Sequence, residues 1–296
     1  THLGEDVTQS KNFLGDNVAA QPETPTVPLT EKAQIANSIA GVFTIIGLSS
    51  ACSSEFVLAS WTCKSSDSTG QAGAGSTHDN MRFDATWSTD FENGFCDYSV
   101  GNGSCYSTGS ASYQIVESPV HGGKYAAAFS VIADGTGTNS RCHRDGELPA
   151  QATYGAWYYI PALATNSDNW NLLHFQGGSS PDVRLGNLWD VSLDNDDTGG
   201  LRLSVFDSIS NSSMTLSNTP AIPIGSWFHI EVFLKRASDA TGEISVYQDG
   251  ITVLHATELI TDNTTYGQWY VGNLATKLTP TMSTVYVDDV TIKPSR

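Results

Sequence analysis

The residue types best suited to acid–base chemistry lie in two short stretches of the chain. Residues 141–148 read Arg-Cys-His-Arg-Asp-Gly-Glu-Leu, and residues 170–177 read Trp-Asn-Leu-Leu-His-Phe-Gln-Gly. Guanidinium and amide groups can hold a carboxylate, whereas His and Tyr side chains can take or give a proton. His174 and Gln176 are two residues apart, so on a strand they point to the same face. We therefore expect a polar site that binds an anionic group and moves a proton.

The elements around these stretches are predicted to be antiparallel strands. Apolar residues alternate with polar ones between turn residues, most clearly in 227–234, which follows a Gly-Ser turn. The predicted strands are 154–160, 170–176, 188–193, 201–206, 227–234, 243–248, 266–271 and 284–292. No strong helical pattern and no internal repeat interrupts them. This pattern predicts an all-β fold, with one β-sandwich domain over residues 81–296 and an N-terminal extension over residues 1–80.

Composition narrows the class of protein further. The 296 residues include 14 basic and 31 acidic side chains, for a net charge of −17. So few cations argue against nucleic acid as a partner, and they weaken a polyanionic substrate unless the Arg and Lys residues converge in one groove. Only 15% of the residues are charged, which favours a Ser-, Thr- and Asn-rich surface. We expect an extracellular or cell-envelope protein.

The N-terminal extension has its own pattern. An apolar run over residues 39–51 is shorter than a typical membrane-spanning helix, and it leads into Leu-Ser-Ser-Ala-Cys at Cys52. This run resembles the hydrophobic region of a lipoprotein signal with an imperfect lipobox. The Ser- and Gly-rich residues 64–80 would then link a lipid anchor at Cys52 to the domain. The alternative is an ordered segment that docks onto the domain or onto a neighbouring subunit in a homo-assembly.

Five cysteines are spaced unlike zinc or haem motifs, so disulfides in an oxidising compartment are the better interpretation. Cys96 and Cys105 lie close together across Gly101-Asn102-Gly103, and we predict that they pair. If Cys52 carries a lipid, four cysteines remain for two disulfides.

The order of these motifs resembles the heparin-lyase-like and glucuronan-lyase-like polysaccharide lyases, with alginate lyases as more distant relatives. That group has an Arg-bearing strand ending in Glu-Leu, an aromatic strand ending in Ile-Pro or Leu-Pro, and then a Gln/His strand. The Trp-turn-strand and the closing Asp-Asp-Val at 288–290 complete the resemblance, which covers about residues 85–296. It implies a concanavalin-like jelly-roll β-sandwich.

The resemblance also implies β-elimination on a uronate polysaccharide, with roles for particular residues. The implied catalytic residues are His174, Tyr270 and Arg144. The implied substrate-binding residues are Arg141, His143, Glu147, Gln176, Tyr158 and Gln268. This chain departs from the family in two places. The His and Gln of residues 174–176 are in reverse order, and Leu274 stands where the family has its catalytic tyrosine. Tyr270 or Tyr266 would then take that role from another position, and Tyr270 is the one assigned here.

Many jelly-roll carbohydrate modules share a structural calcium between an acid of the first strand and one of the last. Here the first strand would be residues 91–95, and the ligands would be Glu92 and Asp289. No motif for an organic cofactor is present: there is no Gly-x-Ser-x-Gly elbow and no phosphate-binding glycine loop.

Two other functions fit the same scaffold. One is a non-catalytic carbohydrate-binding module, and the other is an assembly protein that docks subunits through the N-terminal segment. A glycosidase fits less well, because residues 189–194 lack the paired carboxylates that flank a scissile glycosidic bond.

Overall fold

Antiparallel strands dominate the computed structural model, which describes residues 86–100, 103–180, 183–216 and 219–295. The first strands and the helix of these ranges are β1 (Trp87–Thr89), α1 (Cys96–Val100), β2 (Gly103–Thr108), β3 (Ala111–Val116), β4 (Ala126–Gly146), β5 (Gln151–Tyr159) and β6 (Thr165–Asn166). The remaining strands are β7 (Trp170–Ser180), β8 (Val183–Asn195), β9 (Leu201–Asp207), β10 (Ser212–Ser213), β11 (Trp227–Lys235), β12 (Gly242–Gln248), β13 (Ile251–Leu259) and β14 (Tyr266–Pro294).

The strands form one continuous sheet in the order β10-β9-β8-β7-β14-β5-β11-β12-β13. β4 pairs with β14 outside this order, and β2 and β3 pair with β4. The long strands β4 and β14 join the two halves of this order. We call one half the site half: β2, β7, β8 and β9, with residues 139–146 of β4 and 266–275 of β14. The back half contains β3, β5, β11, β12 and β13, with the other ends of β4 and β14.

The core lies between the two halves, because each strand turns alternate side chains inward. In β11 every second residue is buried, from Phe228 to Leu234. The Tyr154 ring of the back half meets Phe175 of the site half at 4.9 Å and Trp269 at 5.2 Å between ring centroids. Removing a fully buried ring such as Phe175 costs about 3–5 kcal/mol in comparable cores, so these contacts hold the halves face to face.

The all-β prediction is confirmed, and each of the eight predicted strands lies in or largely overlaps an observed strand. The first strand was predicted wrongly. Residues 91–94 form a turn, in which the amide of Gly94 donates to the carbonyl of Phe91 at 2.9 Å. The strand itself is β1, which pairs with residues 290–292 of β14. Glu92 therefore lies on the turn after the first strand.

The predicted Cys96–Cys105 disulfide is wrong, because Cys105 is bonded to Cys142. The pairing follows from register: β2 lies along β4 with Cys105 directly opposite Cys142, and their Cα atoms are 3.9 Å apart. A bond between opposite residues of two paired strands depends on a register that the spacing of cysteines in the sequence does not show.

The N-terminal extension and the lipid-anchor interpretation of Cys52 lie outside the described residues, as does the start of the predicted domain at residue 81. Within the described ranges, no helix has the length and the apolar character that a membrane span requires.

Candidate functional site

Six neighbouring strands of the site half contribute one residue each to a single cross-strand row. In strand order the row is Ser104, His143, Tyr270, His174, Asp190 and Phe206. Residues directly opposite one another on paired strands have side chains on the same face, about 5 Å apart. Their strand neighbours, such as Cys142, Trp269 and Phe175, point the other way into the core. The row therefore lies on the outer face of the site half.

Tyr270 is at the centre of the polar part of this row. Its ring centroid is 5.2 Å from that of His143 on one side and 5.2 Å from that of His174 on the other. The Arg141 guanidinium lies 5.5 Å from the same ring. Tyr270 and His174 are 7% and 6% exposed, so both side chains are largely shielded from solvent. We call Arg141, His143, His174 and Tyr270 the cluster.

The hydroxyl of Tyr270 is held by the next row of the sheet, where Gln176 and Gln268 are directly opposite. It donates to Oε1 of Gln176 at 3.0 Å and also contacts Oε1 of Gln268. Gln268 in turn donates from Nε2 to Asp145. The phenol oxygen is thus fixed between two amide groups, and the predicted pair His174 and Gln176 does share one face.

His174 has a carboxylate partner. Its Nδ1 lies 2.7 Å from Oδ1 of Asp190, which also accepts a hydrogen bond from Nδ2 of Asn171 at 2.7 Å. A carboxylate at Nδ1 favours the tautomer with its proton on Nδ1, which leaves the lone pair on Nε2. His174 is therefore built as a proton acceptor through Nε2.

His143 is engaged at both ring nitrogens. Nε2 lies 2.9 Å from Oγ of Ser104, and Nδ1 lies 3.1 Å from Oδ1 of Asp145. With both nitrogens in use, His143 is suited to bind and to orient rather than to take a proton.

Burial pushes the pKa values of the two central groups in opposite directions. Desolvation lowers the pKa of His174 below its usual range, although the hydrogen bond to Asp190 works against the shift. Desolvation also raises the pKa of Tyr270 to about 12. At neutral pH the imidazole is neutral and the phenol is protonated, and two groups with pKa values pushed apart are the usual arrangement of a base and an acid.

Arg141 supplies buried positive charge beside this pair. Its side chain is largely buried, and within the described ranges no carboxylate lies within 4.0 Å of the guanidinium. Its Nε has no hydrogen-bond partner there either. Gly272 on β14 lets the backbone of that strand pack closely against the backbone of Arg141 on β4. It has φ +137°, and a Cβ at this position would lie 2.8 Å from the Arg141 Cα. An incompletely satisfied buried cation is suited to receive an anion.

Sequence reasoning missed three charged residues of the site, namely Asp145, Asp190 and Arg184. Arg184 is the most exposed of the three: its side chain is 37% exposed, and its Nη2 lies 3.6 Å from Oδ1 of Asp145. The alternating pattern places Asp190 on a predicted strand. Only the register of that strand against β7 shows that Asp190 lies opposite His174.

Three predicted site residues lie elsewhere. Arg144 has the opposite parity to Arg141 on β4, so it points to the other face and lies 4.5 Å from the Trp87 ring. Tyr158 is fully buried in the core and donates to the carbonyl of Leu172 at 3.4 Å. Glu147 is exposed beside a separate depression near Arg236. None of the three contacts the cluster around Tyr270.

Glu92 and Asp289 lie on two sides of the turn at residues 121–125. Oε1 of Glu92 accepts hydrogen bonds from the amides of Lys124 and Tyr125, at 2.5 and 2.9 Å. Oδ2 of Asp289 is 2.6 Å from Nδ1 of His121. In the described part of the chain, no three His, Cys, Asp or Glu side chains come together as a metal site. Calcium binding by this pair stays a prediction.

The fold and the site define a β-sandwich protein with a largely buried histidine, tyrosine and arginine grouped on one face of the site half. Residues 82–291 match the polysaccharide lyase family, so the chain belongs to that family. No curated protein matches it.

Three solved structures give the scale of the structural likeness. "Cellulose induced protein, Cip1" is similar at a TM-score of 0.51 and 14% identity, over 71% of this chain and 97% of that chain. An endo-beta-1,4-glucuronan lyase from the fungus Trichoderma reesei is similar at 0.48 and 16%, over 64% and 90% of the two chains. The alginate lyase Aly36B is similar at 0.42 and 12%, over 58% and 81%. The likeness to Cip1 agrees with the jelly-roll fold.

Proposed function

We propose that this protein cleaves a uronate-containing polysaccharide by β-elimination at the cluster around Tyr270. The observation that carries the proposal is the placement of Tyr270 between His143 and His174, at 5.2 Å from each ring, with Arg141 at 5.5 Å. A lyase needs a base, an acid and a group that neutralises a carboxylate within reach of one sugar ring.

Substrate binding would begin at the carboxylate of the uronate. Arg141 would neutralise it, and His143 and the amide of Gln176 would orient it. The neutralised carboxylate tolerates the negative charge that develops when the adjacent carbon loses its proton. Because Arg141 is buried, its field is screened less than that of an exposed cation.

Proton abstraction is assigned to Nε2 of His174, which is neutral at pH 7 and has its tautomer set by Asp190. The proton on C5 of the uronate moves to Nε2. The C5–H electron pair forms the C4=C5 double bond as the bond from C4 to the glycosidic oxygen breaks. No oxidant, reductant or water enters this step.

The leaving oxygen takes its proton from the hydroxyl of Tyr270, whose raised pKa keeps it protonated in the free protein. The products are a chain with a new hydroxyl and a chain with an unsaturated uronate at its non-reducing end. Return of the proton from His174 to the tyrosinate restores the starting state.

The direct test is a panel of uronate polymers incubated with the protein, with the ultraviolet absorbance of the unsaturated uronate as the signal. Absorbance that rises with wild type and not with His174→Ala supports the proposal. Tight binding of a polymer without any unsaturated product would instead favour a non-catalytic carbohydrate-binding module. Neither binding nor product across the panel would contradict both functions.

Several expectations from the sequence remain proposals beside this one. They are secretion, lipid attachment at Cys52, homo-assembly through residues 1–80, and a structural calcium held by Glu92 and Asp289. The calcium proposal has a simple test. Calcium should raise the melting temperature of wild type and not that of Asp289→Asn, since a ligand that binds only the native state stabilises it.

A further inference from the structure

The row that carries the cluster does not end at Asp190. Its next member is Phe206 on β9, directly opposite Asp190. A groove of about 600 Å³ opens there, within the range of small-molecule binding sites. Its lining includes Leu185, Leu188, Phe206, Ser208, Asn211 and Asn263. Strands lie about 4.8 Å apart, so Phe206 is about 10 Å from His174, and the groove lies beside the cluster on the same face.

The groove differs from the cluster in its charge. None of the ten described residues that line it is Lys, Arg, His, Asp or Glu. Two carboxylates contact the lining: Ser208 Oγ is 3.4 Å from Oδ2 of Asp190, and the amide of Ile209 donates to Oδ1 of Asp207 at 2.8 Å. The cation that contacts it, Arg236, donates to the carbonyl of Thr264 at 3.1 Å, and its Nε is paired with Oδ2 of Asp262 at 2.6 Å. Because Arg236 already has a carboxylate partner, a second carboxylate in this groove would lose its hydration without gaining an unpaired cation.

Positive charge near the row is instead concentrated at the cluster, in Arg141 and Arg184. The whole chain carries a net charge of −17, which repels a polymer with a carboxylate on every sugar. The charges of the site half therefore suit the binding of one uronate at the cluster better than the binding of several consecutive uronates.

We infer that the groove beside Phe206 binds an uncharged sugar, and that the substrate is a heteropolysaccharide whose uronates are separated by neutral sugars. The inference rests on the proposed β-elimination and names its substrate class. The half-buried Phe206 ring offers an apolar surface for one face of a pyranose. The Asn211 and Asn263 amides and the Ser208 hydroxyl offer donors and acceptors for sugar hydroxyls.

The experiment compares two sets of polymers at equal uronate concentration. One set contains homopolymers of single uronic acids, and the other contains unsulfated heteropolymers in which a uronate is linked to neutral sugars. The signal is the unsaturated uronate, measured as kcat/KM at two ionic strengths. We expect kcat/KM to be at least about tenfold higher for a heteropolymer than for any homopolymer at low salt, with the difference shrinking as salt screens the repulsion.

Two groove variants, Asn263→Lys and Phe206→Ala, and one control variant, Thr252→Lys, localise the effect to the groove. Asn263→Lys places a cation at the rim and should shift the preference toward homopolymers by about two- to fivefold, the scale of an exposed ion pair. Thr252→Lys is the matched control: it adds the same charge at an exposed site on β13, at the far end of the strand order, and should leave the ratio unchanged. Phe206→Ala should raise KM for the heteropolymer more than for a homopolymer, with the pH profile kept.

The outcomes separate this inference from the proposed function. Cleavage of homopolymers at equal or higher kcat/KM would overturn the inference and leave β-elimination intact. An equal shift in Asn263→Lys and Thr252→Lys would also overturn it, because the effect would then come from net charge alone. Absence of unsaturated product from every polymer would contradict the proposed function itself.

Discussion

Nδ1 of His174 lies 2.7 Å from Oδ1 of Asp190, and the two residues are directly opposite on β7 and β8. This contact gives the two histidines of the cluster different roles. It leaves Nε2 of His174 to accept a proton, whereas His143 has both nitrogens engaged by Ser104 and Asp145. The base of the proposed reaction is therefore His174, although both histidines lie equally close to Tyr270.

Replacing His174 with Ala should lower kcat by at least about a hundredfold, the scale of a positioned acid or base. Polymer binding should survive, because Arg141 and Gln176 remain. Kinetics on a cleaved polymer and a binding isotherm measure the two effects. His255→Ala is the control, since this histidine is 59% exposed on β13. Full activity in His174→Ala would remove the residue from the mechanism.

Replacing Asp190 with Asn should lower kcat by about ten- to a hundredfold, as loss of a partner that sets a histidine tautomer does at metal sites. The acidic limb of the pH profile should also move. The base must be neutral, and the hydrogen bond to Asp190 raises the pKa of His174. Its loss lowers that pKa further, so the limb should shift to lower pH.

The matched control for this change is Asp194→Asn, an exposed carboxylate on the same strand. A merely structural role for Asp190 would reduce activity without moving the acidic limb, and a shift to higher pH would contradict the assignment.

Replacing Tyr270 with Phe should remove at least about a hundredfold of kcat, because the leaving oxygen loses its proton donor. In wild type, burial holds the pKa of Tyr270 at about 12. Ionisation of this phenol should therefore cause no loss of activity at moderately alkaline pH. Tyr286→Phe, on the back-half end of β14, is the control. An alkaline loss of activity in wild type that vanishes in Tyr270→Phe would contradict the assigned pKa.

Replacing Cys105 and Cys142 together with Ala should lower the free energy of unfolding by about 3–4 kcal/mol, because the bond closes a loop with a sequence separation of 37. Cys142 lies between Arg141 and His143, so the loosened register of β2 on β4 should lower activity as well. Denaturant unfolding and kinetics on the same samples measure both. Unchanged stability would show that the bond adds nothing to the fold.

Strand patterning predicted most of the fold, because alternation is a local property of the sequence. The same rule placed His174 and Gln176 on one face, and the structure confirms it. It also forbids Arg141, His143 and Arg144 from sharing a face, since Arg144 has the other parity. The prediction grouped all three, and the structure separates Arg144, which lies at Trp87, from Arg141 and His143, which lie at Tyr270.

The alternating pattern does not show which residues of neighbouring strands lie opposite one another, because that depends on strand register. The partners Tyr270, Asp190 and Cys142 are each fixed by which residue of a neighbouring strand is opposite, and a slip of one residue exchanges the two faces. The separation in sequence carries no such information: Cys105 and Cys142 are opposite, whereas the closer pair of Cys96 and Cys105 is not bonded.

The most direct test of β-elimination is the mass of the products formed in water labelled with heavy oxygen. Elimination adds no water, so the account predicts chains that end in an unsaturated uronate and carry no label from the solvent. Wild type should form them, and His174→Ala and Tyr270→Phe should not. Saturated products that carry the heavy oxygen would identify a hydrolase and contradict the account.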